Sequence, residues 1–440
     1  MVRFFVQNFG CRATQADGAA LESLLAGRGF EPAADRAAAD LVVLNTCTVT
    51  SAADEDARHA IRRVHRENPS ARILVTGCYA QRAPQEVAGM PGVCWVVGNS
   101  HKTEIANLVS ISNANASEPY HGNVHVSDVH LGNIHVGDIF AQHDFLSAPV
   151  EDAAGDRTRP NLKIQDGCNN RCSFCIIPFV RGRSRSAPAS LVVEQVRNLA
   201  RRYREIVLSG INLGRWGREP GSGLRLTDLI RLLLAETGVE RLRLSSVEPM
   251  DFSDALLHLM ASAPRIAKHV HAPLQSGSDR TLRRMHRKYR PRHYADRILK
   301  ARALMPDAAI GADVMVGFPG ETEADFEESR SFIESLPFTY LHVFTYSERP
   351  GTPAAQHADA VPIPVRKTRN RILRELADAK NREFRRRMVG RTLSAVTLHG
   401  GGALSENYLR IELTRSYQPN AMVDLRIGDV TESGLRESPQ

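Results

Sequence analysis

The chain has 440 residues, enough for about three domains and for a large core that needs no disulfide support. Hydrophobic residues make up 42% and charged residues 24%, which excludes a wholly disordered or fibrous chain. Lysine and arginine number 57 against 49 acids, and this formal charge of +8 permits a nucleic-acid partner without requiring one.

Along the chain, residues 3–7 read as a strand, 16–28 as a helix ended by Gly29, and 41–45 as a continuous apolar strand. Residues 51–67 read as a helix with Ser51 as N-cap, and 72–76 and 93–97 as further strands. Apolar strands alternating with helices predict a doubly wound α/β domain over residues 1–109. Residues 110–150 break this pattern. Gly122-Asn-Val-His-Val-Ser-Asp-Val recurs as Gly132-Asn-Ile-His-Val-Gly-Asp-Ile, and histidines stand at His121, His125, His130, His135 and His143. We read a linker or hairpin insertion, its histidines forming a metal site or simply the polar face of a β-ribbon.

From 151 to 365, candidate strands at 162–165, 206–209, 241–245, 269–273, 309–316 and 340–344 alternate with helices and predict an incomplete (βα)6 barrel. Residues 366–388 read as a basic helix: 366–387 hold ten Lys or Arg against three acids. That helix suits RNA phosphates, or is a solvated face. Residues 389–440 predict a small all-β module with Gly-rich turns. No apolar run is long enough to cross a bilayer, and residues 1–5 lack a signal-peptide core, so a cytoplasmic protein without a membrane partner is expected.

The seven cysteines are odd in number, which argues against a disulfide framework. Cys168, Cys172 and Cys175 follow the first barrel strand, where barrel active sites lie. Three thiolates at this spacing can hold an iron–sulfur cluster with one iron left open; a zinc site or a redox thiol pair is the alternative. Cys11, Cys47 and Cys78 each follow a strand of the first domain, so a parallel sheet gathers them at one edge. The alternative is three buried structural cysteines. Cys94, inside a strand, reads as a core residue.

Lys163-Ile-Gln-Asp-Gly-Cys168-Asn-Asn-Arg-Cys172-Ser-Phe-Cys175-Ile-Ile-Pro178 followed by Arg181-Gly182-x-x-Arg185-Ser186 resembles the radical S-adenosylmethionine (SAM) methylthiotransferases. Asn45-Thr-Cys47-Thr-Val-Thr50 and Gly77-Cys78-Tyr-Ala-Gln81 are similar to that family's first domain. His271-Ala-Pro-Leu-Gln-Ser-Gly-Ser278 and Asp313-Val-Met-Val-Gly-Phe-Pro-Gly-Glu321 are similar to its barrel strands. Ser405-Glu-Asn-Tyr-Leu409 looks like part of a TRAM domain, a small RNA-binding β-barrel. The chain departs from the family at 110–149 and at Arg12-Ala13-Thr14-Gln15. Asn45-Thr-Cys47-Thr-Val-Thr50, Asn169, Asn170 and the segment 342–353 look most like the branch acting on threonylcarbamoyladenosine in tRNA.

The resemblance implies two 4Fe-4S clusters and SAM as cofactors. Cys168, Cys172 and Cys175 would hold the cluster that cleaves SAM, giving the radical that activates adenine carbon 2. Cys11, Cys47 and Cys78 would hold an auxiliary cluster that delivers sulfur, with a methyl group from a second SAM. Gly210, Asn212, Glu248, Gln275, Asp313 and Gly317 are candidate SAM contacts, or polar and turn residues at strand ends. Arg181, Arg183 and Arg185 are candidates for reading the threonyl carboxylate, or for phosphate contacts or ion pairs. Expected partners are a tRNA anticodon loop at position 37, a flavodoxin-type electron donor and a sulfur donor. The C-terminal module is expected to bind RNA and take no part in the chemistry. The alternatives are a methylthiotransferase of isopentenyladenosine tRNA or of a ribosomal protein, and a non-enzymatic iron–sulfur RNA-binding protein.

Overall fold

The computed structural model describes residues 1–114, 129–131, 133–142, 145, 158–219 and 221–439. Strands Arg3–Asn8, Leu41–Thr46, Arg72–Gly77 and Val93–Val97 run parallel in that spatial order. All six residues of Leu41–Thr46 are buried, because helices cover both faces of a central parallel strand. The sheet extends further than the sequence reading. Glu31–Pro32 adds to one edge, and a hairpin of Val129–Leu131 and Ile134–Val136 adds to the other. His130 and His135 are opposite partners in that hairpin. The first copy of the repeat, with His121 and His125, and His143 lie outside the described residues.

Two helices differ from expectation. The first runs Arg12–Ala26, beginning directly after Cys11, because Ala13 and Thr14 are buried and Asn45 Nδ2 donates to the Thr14 carbonyl at 2.7 Å. Polar Arg12 and Gln15 disguised that start. Helix Ser51–Glu67 is capped by Thr50, whose hydroxyl accepts from the Ala53 N–H at 3.2 Å, and not by Ser51.

The second layer system contains six parallel strands: Asn161–Asp166, Glu205–Gly210, Arg241–Leu244, His269–His271, Ala309–Val316 and Tyr340–Thr345. Its two sheets are stitched at Leu242, whose N–H donates to the Arg265 carbonyl and whose carbonyl accepts from Ala267. No strand pairing among the described residues joins Tyr340–Thr345 back to Asn161–Asp166, so the barrel is open on that side. Helix Arg12–Ala26 packs along Asn161–Asp166 there, and Asn161 Nδ2 donates to the Arg12 carbonyl at 2.6 Å.

Period-two alternation decides what the barrel can hold. Leu162, Ile164, Ile206, Leu208, Leu242, Leu244, Val314 and Val343 share one core with the surrounding helices. The opposite positions are mostly polar: Lys163, Gln165, Glu205, Arg243, His271, Asp313 and His342. Barrel interiors are usually packed with branched apolar side chains; this one is lined for polar ligands.

Helix Ile363–Arg386 contributes Leu373 to the barrel core and Phe384 to the core of the C-terminal module. That module is a closed barrel of Thr392–Thr397, Ala403–Ser405, Arg410–Glu412, Met422–Val430 and Leu435–Glu437. It does more than the sequence reading allowed, because its 405–409 turn plugs the floor of the larger barrel. Arg243 donates to the carbonyls of Ser405 and Glu406, each at 3.0 Å, and Tyr408 stacks on His269 with centroids 4.5 Å apart. Among the described residues, no helix is long and apolar enough to cross a membrane.

Candidate active site

Cys11, Cys47 and Cys78 stand just past the ends of three adjacent parallel strands. Two glycines allow the loops to converge. A side chain on Gly10 (φ +89°) would come within 2.7 Å of Cys47 Sγ, and one on Gly77 (φ +97°) within 2.3 Å of the Thr46 carbonyl. Cys47 and Cys78 are buried and Cys11 is exposed. Burial, then the neighbouring Cys78 and Cys11, pushes the Cys47 thiol up to about 12. Asn99 Nδ2 lies 3.6 Å from Cys78 Sγ and 2.7 Å from the Val180 carbonyl, and Thr14 Oγ1 lies 3.4 Å from Cys11 Sγ.

Cys168, Cys172 and Cys175 occupy the loop after Asn161–Asp166. N–H donors converge on its sulfurs. The Asn170 N–H points at Cys168 Sγ at 3.4 Å, Asn212 Nδ2 lies 3.8 Å from the same sulfur, and Arg287 donates to Cys172 Sγ at 3.1 Å. Burial, then Cys172, pushes the Cys175 thiol up to about 12. The short helix Ile177–Arg181 follows at once, and Ile176 and Val180 pack against Cys78. The Cys78 loop therefore packs directly on the segment that follows Cys175. Arg349, from the loop after the last barrel strand, adds a second tie: it pairs with Asp54 and donates to Thr48 Oγ1 beside Cys47.

Of the six candidate SAM contacts, two join the Cys168 trio: Asn212 directly, and Glu248 through its ion pair with Arg287. Gly210 packs on Gln165, whose Oε1 accepts from the Asn212 N–H at 2.6 Å, so this turn is fixed against the first barrel strand. Gln275 takes a left-handed backbone (φ 66°), and its N–H donates to the Asp313 carbonyl at 2.8 Å. A non-glycine residue held there is strained, a feature that clusters at functional sites. Asp313 lies between His271 Nε2 at 3.4 Å and His342 Nδ1 at 3.2 Å, and the histidines hold its carboxyl below the usual range despite burial. Gly317 packs on Arg366 and donates its N–H to Glu321, and Phe318 beside it meets Phe174 of the Cys168 loop with ring centroids 6.4 Å apart.

Arg181 and Arg185 are not free to read a substrate. Arg181 is 1% exposed and pairs with Asp17 and Asp166, each at 3.0 Å, and Arg185 pairs with Asp166 at 3.3 Å. Arg183 is exposed. Sequence reasoning missed Arg287, which sits in no recognisable motif, and Asn99. It also passed over Lys163, although a lysine between Leu162 and Ile164 marks an inward polar position.

Two family models match the chain: the Radical SAM superfamily over residues 162–333, and uncharacterized protein family UPF0004 over residues 3–98. The chain is 37% identical over 409 residues to threonylcarbamoyladenosine tRNA methylthiotransferase MtaB of Aquifex aeolicus, covering 92% of this chain and 95% of that protein. The Bacillus subtilis protein of the same name is 36% identical, covering 93% and 87%. The chain belongs to the radical SAM methylthiotransferases. A family member from Syntrophomonas wolfei, tRNA-2-methylthio-N(6)-dimethylallyladenosine synthase, is 31% identical, covering 87% and 84%. The radical SAM methyltransferase TsrM of Kitasatospora setae shares the fold at 15% identity and a TM-score of 0.58, over 80% of this chain and 76% of that one. In this methylthiotransferase the superfamily region carries the Cys168 trio and the UPF0004 region carries the Cys11 trio.

Proposed function

We propose that this protein converts threonylcarbamoyladenosine at tRNA position 37 to its 2-methylthio derivative. The observation that carries the reading is that Cys78 packs on Ile176 and Val180, directly after Cys175, in a chain similar to the MtaB proteins along nearly its whole length. Cys168, Cys172 and Cys175 would hold one 4Fe-4S cluster, and Cys11, Cys47 and Cys78 the other. The donor chemistry fits. Each trio supplies three thiols, and amide and guanidinium N–H groups point at the sulfurs of the Cys168 trio, as suits cluster sulfurs. When bound, the clusters and SAM supply radical and sulfur-transfer chemistry that acid–base groups cannot perform on an aromatic C–H.

The chain's own residues bind and orient. Asn212 and Arg287 steady the Cys168 trio, and Glu248 fixes Arg287. Gln275, on its strained backbone, and Asp313 offer polar contacts for SAM. His342 and Phe344 are half-exposed at alternate positions of the last barrel strand, where they can stack on a base that has left the anticodon loop. Arg183 is the remaining arginine of its loop for the threonyl carboxylate. We assign residues 1–109 to the auxiliary-cluster domain, 151–365 to the radical SAM barrel, and 366–388 with 389–440 to a tRNA-phosphate surface. An electron donor and a sulfur donor complete the reaction, which fits a cytoplasmic setting.

Replacing the two trios separately tests this reading. Cys168→Ala, Cys172→Ala and Cys175→Ala together should abolish SAM cleavage and leave about four irons per chain. The Cys11, Cys47 and Cys78 triple variant should keep SAM cleavage yet form no methylthio product. Full iron content in either triple variant would overturn the assignment.

A further inference from the structure

A buried lattice of charges joins the first helix, which follows Cys11, to the strand that precedes Cys168. Asp17 of the first helix pairs with Lys102, Lys163 and Arg181, and Asp166 pairs with Lys163, Arg181 and Arg185. Four cations thus face two carboxylates, all at most 12% exposed. Among the described residues nothing else of negative charge closes this lattice. Burying unbalanced charge is costly unless a counter-charge sits nearby.

The lattice leans toward the Cys11 trio. Arg181 ends the helix whose Val180 packs on Cys78, and it reaches Thr14 Oγ1 at 3.5 Å, which itself lies against Cys11 Sγ. Lys102 donates to Asn45 Oδ1 at 3.2 Å, two residues before Cys47. A second positive excess lies next to Thr48, the residue after Cys47, where Arg82 and Arg349 share Asp54. The Cys168 trio has a different neighbourhood: Arg287 touches Cys172 but is neutralised by Glu248.

We propose that the Asp17–Lys102–Lys163–Arg181–Asp166–Arg185 lattice is the built-in counter-charge of the auxiliary centre, and that it holds that centre's reduction potential above the one at Cys168, Cys172 and Cys175. The proposal rests on the ligand assignment above. A cluster on three thiolates is anionic and gains a further negative charge on reduction, so excess positive charge beside it favours the reduced state. Lys102 and Lys163 act as positioning and tuning residues and touch no substrate.

Potentiometric titration of the reconstituted holoprotein, followed by electron paramagnetic resonance, tests this. Lys163→Met and Lys102→Met should each shift the auxiliary midpoint to more negative potential, and together shift it further. The midpoint of the Cys168 centre should stay in place, and Lys163→Arg should restore the wild-type value. Should one methionine variant fail to fold, the other and Arg185→Met give the same reading. Both clusters present with an unmoved auxiliary midpoint, or equal shifts at both centres, would overturn the proposal. A wild-type protein that binds a single cluster would instead overturn the ligand assignment, and the proposal with it.

Discussion

Arg287 links the two kinds of residue that the Cys168 site needs. One arm donates to Cys172 Sγ, the other pairs with Glu248, and the guanidinium lies over the Tyr289 ring, 4.8 Å from its centroid. Removing it leaves a carboxylate facing a buried sulfur site. Arg287→Met should lower stability by about 3 kcal/mol, the low end for breaking a buried pair, because Glu248 keeps some solvent contact. It should also weaken SAM binding at least about tenfold, a loss of roughly 1.4 kcal/mol. Chemical denaturation and equilibrium dialysis with SAM would read the two effects, and unchanged SAM affinity would remove Arg287 from the site. At this scale the sequence was legible where chemistry demands a residue type at a fixed spacing, as in Cys168-x3-Cys172-x2-Cys175. It was illegible where one type serves many ends. Nothing in the order of residues separates Arg181, fully buried in an ion network, from Arg183, exposed two positions later.

The floor of the barrel shows what strands and turns contribute together. Glu205, wholly buried at the start of its strand, accepts from Arg243 and pairs with Arg159 and Arg241. Burial raises its pKa, but these three arginines win and hold it at about 2. A depressed folded value means the stabilisation is complete above the unfolded carboxyl range and is lost as pH falls through it toward 2. Glu205→Gln should therefore flatten the acid limb of the stability curve between about pH 4.5 and 2. Thermal unfolding of apo-protein across that range would show it, and an unaltered acid limb would place the loss elsewhere. Tyr408 seals the same floor from the C-terminal module, and Tyr408→Ala should cost on the order of 2 kcal/mol by opening a cavity beside His269. A denaturation midpoint within error of wild type would show that the plug is dispensable. The alternation in Arg241–Leu244 and His269–His271 was visible in the sequence as strands. Its inverted sense, apolar outward and polar inward, was not, because a strand pattern does not say which face meets the helices.

At the scale of the whole molecule, the N-terminal sheet, the larger barrel and the C-terminal barrel pack against one another. Helix Arg12–Ala26 begins at the Cys11 loop and covers the open edge of the barrel, so that loop is placed by the same contact that closes the fold. Helix Ile363–Arg386 roots in two cores at once, which ties the C-terminal module to the larger barrel. Removing everything after Arg387 would strip the carbonyl partners from buried Arg243, so the truncated chain should lose stability as well as tRNA affinity. A cleaner probe keeps the fold. Replacing Arg371, Arg374 and Arg382 with glutamine should weaken tRNA binding and lower the slope of log affinity against log salt, one unit or less per lost phosphate contact. An unchanged slope would place the RNA elsewhere. The first four long strands of the N-terminal sheet and the six barrel strands could be read from apolar runs and turn residues. The docking of the domains could not, since Asn161 on Arg12 or Tyr408 on His269 joins residues more than a hundred positions apart.

The central claim is the identity of the product, and mass spectrometry of tRNA nucleosides tests it most directly. Reconstituted, reduced protein is given SAM, a sulfur source and two purified tRNAs, one carrying threonylcarbamoyladenosine at position 37 and one carrying isopentenyladenosine. The expected result is 2-methylthio-threonylcarbamoyladenosine from the first tRNA and no change in the second. Methylthiolation of the isopentenyl tRNA alone, or of neither, would contradict the account.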